Sequence, residues 1–185
     1  MKQEKKWEPP LGRKIGEGVS KTVHRDKTDS KRVIKVLKEK RSPIEARRNF
    51  YLIKILHLLL PDSVPDISLS TPTIDRVEKK TLDWKHYALI PSWNLPYVIH
   101  EFVRNINAKG DTALVEQLKS YGIVIDESRH NFSRGKKGEV IYLDSFTLPN
   151  SNSLKTLADA IESLPPERKE QALRYFSRLE DLLKV

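Results

Sequence analysis

Ile123-Val124-Ile125-Asp126-Glu127-Ser128-Arg129-His130-Asn131-Phe132, followed by Val140-Ile141-Tyr142-Leu143-Asp144-Ser145-Phe146, is the stretch on which the fold turns. Three β-branched residues make a short buried strand, and the polar run after them makes a loop. The glycine-bounded segment Gly135-Lys136-Lys137-Gly138 predicts a tight turn, and Glu139–Leu143 a second strand, so the whole reads as a hairpin. Asn131 lies five residues after Asp126, and Asp144 lies thirteen after Asn131. An amide carbonyl and a carboxylate are hard oxygen donors of the kind a magnesium ion takes. A hairpin between them would hold both at one edge.

Upstream, Leu11–Val23 carries Gly12, Gly16 and Gly18 among strand-forming residues, which predicts strand, glycine turn, strand. Val33, Ile34, Val36 and Leu37 flank Lys35 in a third strand. Ser42 and Pro43 read as an N-cap and first helical residue, with Glu45 in the first turn. That helix should run to Leu60, with Phe50, Ile53, Leu56 and Leu60 in one stripe and Pro61 as its stop. Ile67–Ile74 and His86–Ile90 are expected to pair as strands. Further helices are expected at Thr112–Tyr121, closed by Gly122, then at Leu154–Ser163 and Pro166–Lys184.

Taken in order, the glycine pair, Lys35, Glu45, Asp126, Asn131 and Asp144 resemble the motif series of the protein-kinase-like superfamily. The resemblance covers about residues 11–147. The segment Gly16–Lys35 is also loosely similar to the small bacterial kinase-like proteins of the PhoP regulatory network (YrbL type). The resemblance implies an α+β fold with a flexible arm over 1–10. A small antiparallel-sheet N-lobe with one long helix would span 11–96. A reduced, mainly helical C-lobe would span 97–185 and hold the hairpin. It implies ATP and Mg²⁺ as cofactors. Gly16 and Gly18 would cover the phosphates, Val23 would cap the adenine, and Lys35 would contact phosphate and pair with Glu45. Asp126 would be the catalytic base, Asn131 a magnesium ligand and Asp144 the main magnesium ligand. The partners would then be a nucleotide and a hydroxyl-bearing acceptor, either a protein or a small molecule.

The sequence departs from that pattern at stated positions. Lys21 replaces the third glycine, and Val124-Ile125 precede Asp126 where His-Arg is usual. Ser128 stands where lysine is common, and Ser145-Phe146 follows Asp144 in place of Phe-Gly. Only about 40 residues remain after Asp144, too few for a full substrate-docking lobe. These departures support a second reading, a catalytically inactive pseudokinase acting as a regulatory or scaffolding module. Each residue also has an ordinary explanation. Gly16 and Gly18 suit any hairpin, Lys35 a solvent-facing strand position, and Glu45 a helix-dipole contact. Asp126, Asn131 and Asp144 are common turn formers. Their joint order and spacing favour a site over separate turns.

Composition frames these readings. The formal charge of +9 suits an anionic partner and leaves a basic nucleic-acid-binding protein as a third reading, although lysine and arginine are spread along the chain without a clustered stripe. With no cysteine, disulfides and thiolate metal sites are excluded. The five histidines have no metal-ligand spacing and are expected to have structural or surface roles, and Trp84 and Trp93 read as core or a packing cover. The polar N-terminus and the short run Leu52–Leu60, broken by Lys54 and His57, give no expectation of a membrane partner. A soluble, cytoplasmic protein is expected.

Overall fold

The computed structural model describes residues 11–18, 21–28, 33–37, 43–70, 88–92, 108–128, 131–134 and 138–184. The fold is α+β, and its residues divide into two compact units. The first holds Met1–Arg47 and Ile67–Leu95, the second Arg48–Asp66 and Pro96–Val185. The expected arm over 1–10 lies outside the described residues.

The first unit is built on a sheet. Strands β1 (Leu11–Glu17), β2 (Lys21–Asp26) and β3 (Val33–Leu37) form an antiparallel meander. With β4 (Asp66–Ser70) and β5 (Ala88–Ser92) the strand order is β1-β2-β3-β5-β4. The expected pairing of the fourth and fifth strands is therefore present, and residues 71–74 and 86–87 of the expected spans lie outside the described residues. Val33 and Ile34 are adjacent on β3 and both fully buried, so this strand is covered on both faces. Helix α1 (Pro43–Leu59) starts where Pro43 sets it, and its first turn belongs to this unit.

The second unit is mainly helical. Besides Arg48–Leu59 of α1, it holds α2 (Ala108–Ser120), α3 (Ser151–Glu162) and α4 (Pro166–Leu183). Four short strands lie between α2 and α3: β6 (Val124–Ile125), β7 (Phe132–Arg134), β8 (Val140–Tyr142) and β9 (Phe146–Thr147). A single cut near residue 96 would put all of α1 with the sheet. The structure instead places Arg48–Asp66 in the helical unit, for visible reasons. The Arg48 guanidinium donates to the Leu182 carbonyl at the end of α4, at 2.5 and 3.0 Å. Tyr51 stacks near Tyr175, with ring centroids 6.2 Å apart, and the Tyr142 amide donates to Ser63 O at 2.9 Å. Leu52, Ile53, Ile55 and Leu56 are all buried, a band broader than the single stripe expected.

Two helix starts also differ from expectation. α2 begins at Ala108, before Thr112. α3 begins at Ser151, before Leu154, because Asn150 is the N-cap and its side chain accepts from the Ser153 amide at 3.0 Å. Among the described residues no helix is long and apolar enough to cross a membrane.

Gly122 closes α2 as expected. Its amide donates to Lys119 O at 2.9 Å and the Ile123 amide to Leu118 O at 3.0 Å, with Leu118 and Ile123 both buried. This is the Schellman arrangement, and it needs the left-handed backbone that Gly122 adopts at φ +76°. A Cβ there would also lie 2.8 Å from Ser153 Cα. Gly138 is left-handed too, at φ +86°, but has nothing within 4 Å of a Cβ. Gly138→Ala should therefore cost about 1–2 kcal/mol in backbone strain. Gly122→Ala should cost roughly 2–5 kcal/mol, because the overlap with α3 adds to that strain. Equilibrium urea unfolding of the two variants measures the difference, and equal losses would contradict it.

Candidate functional site

In the sheet unit the strand register collects residues far apart in sequence. Gly16 pairs with Val23, Val23 with Lys35, and Lys35 with Leu89. Directly opposed residues lie on the same face of a sheet, so Gly16, Val23 and Lys35 form one row across three strands. Val23 and Lys35 are half-buried. Gly18 follows β1 directly and is exposed. Glu45 stands in the first turn of α1, half-buried, in the same unit as Lys35. The backbone does not demand glycine at position 16. Gly16 is not left-handed, and a Cβ would meet only Val23 at 3.6 Å, an ordinary contact.

The helical unit brings Asp126, Asn131 and Asp144 together. Strands β6 and β9 pair antiparallel, Val124 with Thr147 and Ile125 with Phe146. That register sets Asp126 beside Ser145, one residue from Asp144. β7 and β8 form the hairpin between them, with Phe132 opposite Tyr142. Asn131 is 6% exposed and ties the two loops. Its side-chain NH₂ donates to Asp126 O at 3.1 Å, and its backbone carbonyl accepts from the Leu143 amide at 2.7 Å. Its own amide donates to Ser128 O at 2.9 Å. Among the described residues no group donates to the side-chain oxygen of Asn131, which leaves a carbonyl oxygen for an outside cation.

Asp126 is exposed and has its own local constraint. Its Oδ1 accepts from the Ser128 amide at 2.9 Å and from the Ser128 hydroxyl at 2.5 Å. This turn holds the side chain back against its own loop. Among the described residues no three His, Cys, Asp or Glu side chains form a metal cluster. One carboxylate with one amide suits an ion that keeps waters and takes phosphate oxygens as further ligands, which is how magnesium is usually held.

Tyr142, Ser128 and Ser145 were not among the expected site residues. The usable signal for Tyr142 was a tyrosine in a strand otherwise apolar, since a buried phenol needs a hydrogen-bond partner. His24 and His57 have the structural roles expected of them. His24 contacts Gly12 O at 3.3 Å, and His57 contacts Val64 O at 2.7 Å. The other three histidines and all three tryptophans lie outside the described residues.

The net charge is not shared between the units. The sheet unit carries 19 Lys and Arg against 10 Asp and Glu, net +9, and the helical unit carries 15 against 15. Acids are about equally dense in the two units, 10 of 76 residues against 15 of 109, so the excess arises because bases are denser in the sheet unit, 19 of 76 against 15 of 109. A scan against protein-family models gives no match, and a search of curated protein sequences gives none.

Asn131→Ala removes one buried hydrogen bond and should lower stability by about 1–2 kcal/mol. Asn131→Asp sets an acceptor against the Asp126 carbonyl and should cost more at pH 7. Chemical denaturation of both variants checks the order, and an Asp variant as stable as wild type would contradict the link.

Proposed function

We propose that the chain is an ATP- and magnesium-binding protein of the protein-kinase-like type. The observation that carries this reading is the bonded arrangement of Asp126, Asn131 and the Leu143–Asp144 loop. Three polar residues spaced over nineteen positions are held together by a hairpin, with an amide oxygen left for a cation. The sheet unit supplies the second support. Lys35 and Val23 share a face with a glycine that the fold itself does not require. That unit also carries the full positive excess, as a phosphate-binding unit would.

In this reading Lys35 contacts phosphate and pairs with Glu45, while Val23 packs on the base. Gly16 and Gly18 let the backbone approach the phosphates. Asn131 and Asp144 hold magnesium, whose charge offsets that of the phosphates. Asp126 faces the acceptor hydroxyl.

Binding without transfer is the second reading, and the Asp126–Ser128 turn favours it. Two donors already occupy Oδ1 of the carboxylate that would take the acceptor's proton. The two readings part on turnover. Phosphate release or autophosphorylation that is equal in wild type, Asp126→Ala and Asp144→Ala would leave only binding.

Thermal unfolding tests the shared claim. At about a hundred times its dissociation constant, ATP with magnesium should add about 2.7 kcal/mol. For a chain of this length that is a rise in Tm of roughly 5–10 °C. Lys35→Met and Asp144→Ala should lose most of the rise. Gly16→Ala should keep the unliganded Tm within about 2 °C while shrinking the rise, because a strand alanine fits the fold and hinders only the ligand. No rise in wild type sinks the proposal.

A further inference from the structure

We infer that the Tyr142 hydroxyl is the clamp that fixes Asp126 against the Asp144 loop, which makes Tyr142 a positioning residue for the metal and nucleotide site. The inference rests on the nucleotide-binding reading above for its functional part and on geometry alone for the clamp.

The hydroxyl lies between the two loops. It accepts from the Asp126 amide at 3.2 Å and lies 3.2 Å from Ser145 O, to which it donates. Asp126 O is farther, at 3.5 Å, and already accepts from Asn131. One oxygen thus bridges the residue that carries the proposed base and the residue after the proposed main magnesium ligand. The tyrosine that presents it is itself held from three sides. Its amide donates to Ser63 O in the turn after α1 at 2.9 Å. Its ring meets Phe132 edge-on, with centroids 5.2 Å apart, and Phe146 at 4.9 Å. Tyr142 is 1% exposed. A ring so confined has little freedom to swing, so the hydroxyl position is set before any ligand arrives.

The bridge works only with the phenol proton in place, because that proton is the donor to Ser145.

Tyr142→Phe keeps the ring and removes the clamp. Amide hydrogen exchange in the full chain should speed up about five- to tenfold at Asp126, the value of one hydrogen bond. Exchange at Ile123 and Leu118 should hold. The apparent affinity for Mg²⁺ in the presence of a non-hydrolysable ATP analogue should weaken by a similar factor. The affinity for the analogue in EDTA should stay the same. Leu179→Ala is the control: it opens a cavity at a buried position of α4, lowers Tm, and should leave both measures near wild type. An Asp126 amide equally protected in Tyr142→Phe overturns the clamp. A loosened amide with unchanged magnesium affinity overturns the positioning role. Wild-type protein that binds no analogue, with Asp126 still loosened in the variant, sinks the nucleotide reading and leaves the clamp standing.

Discussion

Ile125 and Phe146 pair across two strands of only two residues each, and the placement of every polar group in the hairpin follows from that register. Antiparallel pairing makes the residue after one partner face the residue before the other. Asp126 therefore comes to lie beside Ser145 although nineteen positions separate them in sequence. Two ladder pairs are a small anchor in water, since even a full isolated hairpin is marginal. What holds these strands is the packing of Phe132, Tyr142 and Phe146, three rings at centroid distances near 5 Å, all buried. Such ring pairs are worth about 0.5–1.5 kcal/mol each beyond the area they bury. The polar arrangement is thus a consequence of an apolar one.

The hairpin site is positioned by main-chain bonds and buried rings, and the ion pairs near it add little. Lys119 and Glu127 meet at 2.7 Å, yet both side chains are more than half exposed. Exposed pairs of this kind contribute about 0–1 kcal/mol and weaken with salt. The sheet unit works by a different rule. Its register sets Gly16, Val23 and Lys35 in a row, and its net +9 acts at longer range. At physiological ionic strength such a field is screened within about 8 Å.

Much of this was legible in the sequence, for reasons that differ by element. The sheet meander could be read because the β-branched run on both sides of Lys35, Val33-Ile34 and Val36, favours a strand. Pro43, Gly122 and Pro61 punctuate the helices through their own backbone limits. The spacing of Asp126, Asn131 and Asp144 could be read because a hairpin of fixed length leaves the ends of its strands near each other. Other features could not be read. β9 is two residues long and is made by its partner, not by propensity. The early start of α3 depends on Asn150 winning as N-cap over the serines that follow it. The placement of Arg48–Asp66 in the helical unit depends on contacts with Tyr175 and Leu182, more than a hundred residues away. Charge segregation escaped because a chain-wide count hides that bases are denser in the sheet unit.

The Asp126–Ser128 turn and the Tyr142 bridge act on different parts of one residue. The turn holds the carboxylate of Asp126, and the bridge holds its amide. With Asn131 on its carbonyl, Asp126 is restrained at every polar group the backbone and side chain offer. A loop residue fixed so fully loses little further entropy when a ligand binds, which favours affinity. The same restraint opposes the small rearrangements a proton acceptor makes as it meets a hydroxyl, since serine donors must be given up before Oδ1 is free. Under the proposed nucleotide-binding reading, restraint of this kind favours binding over phosphate transfer.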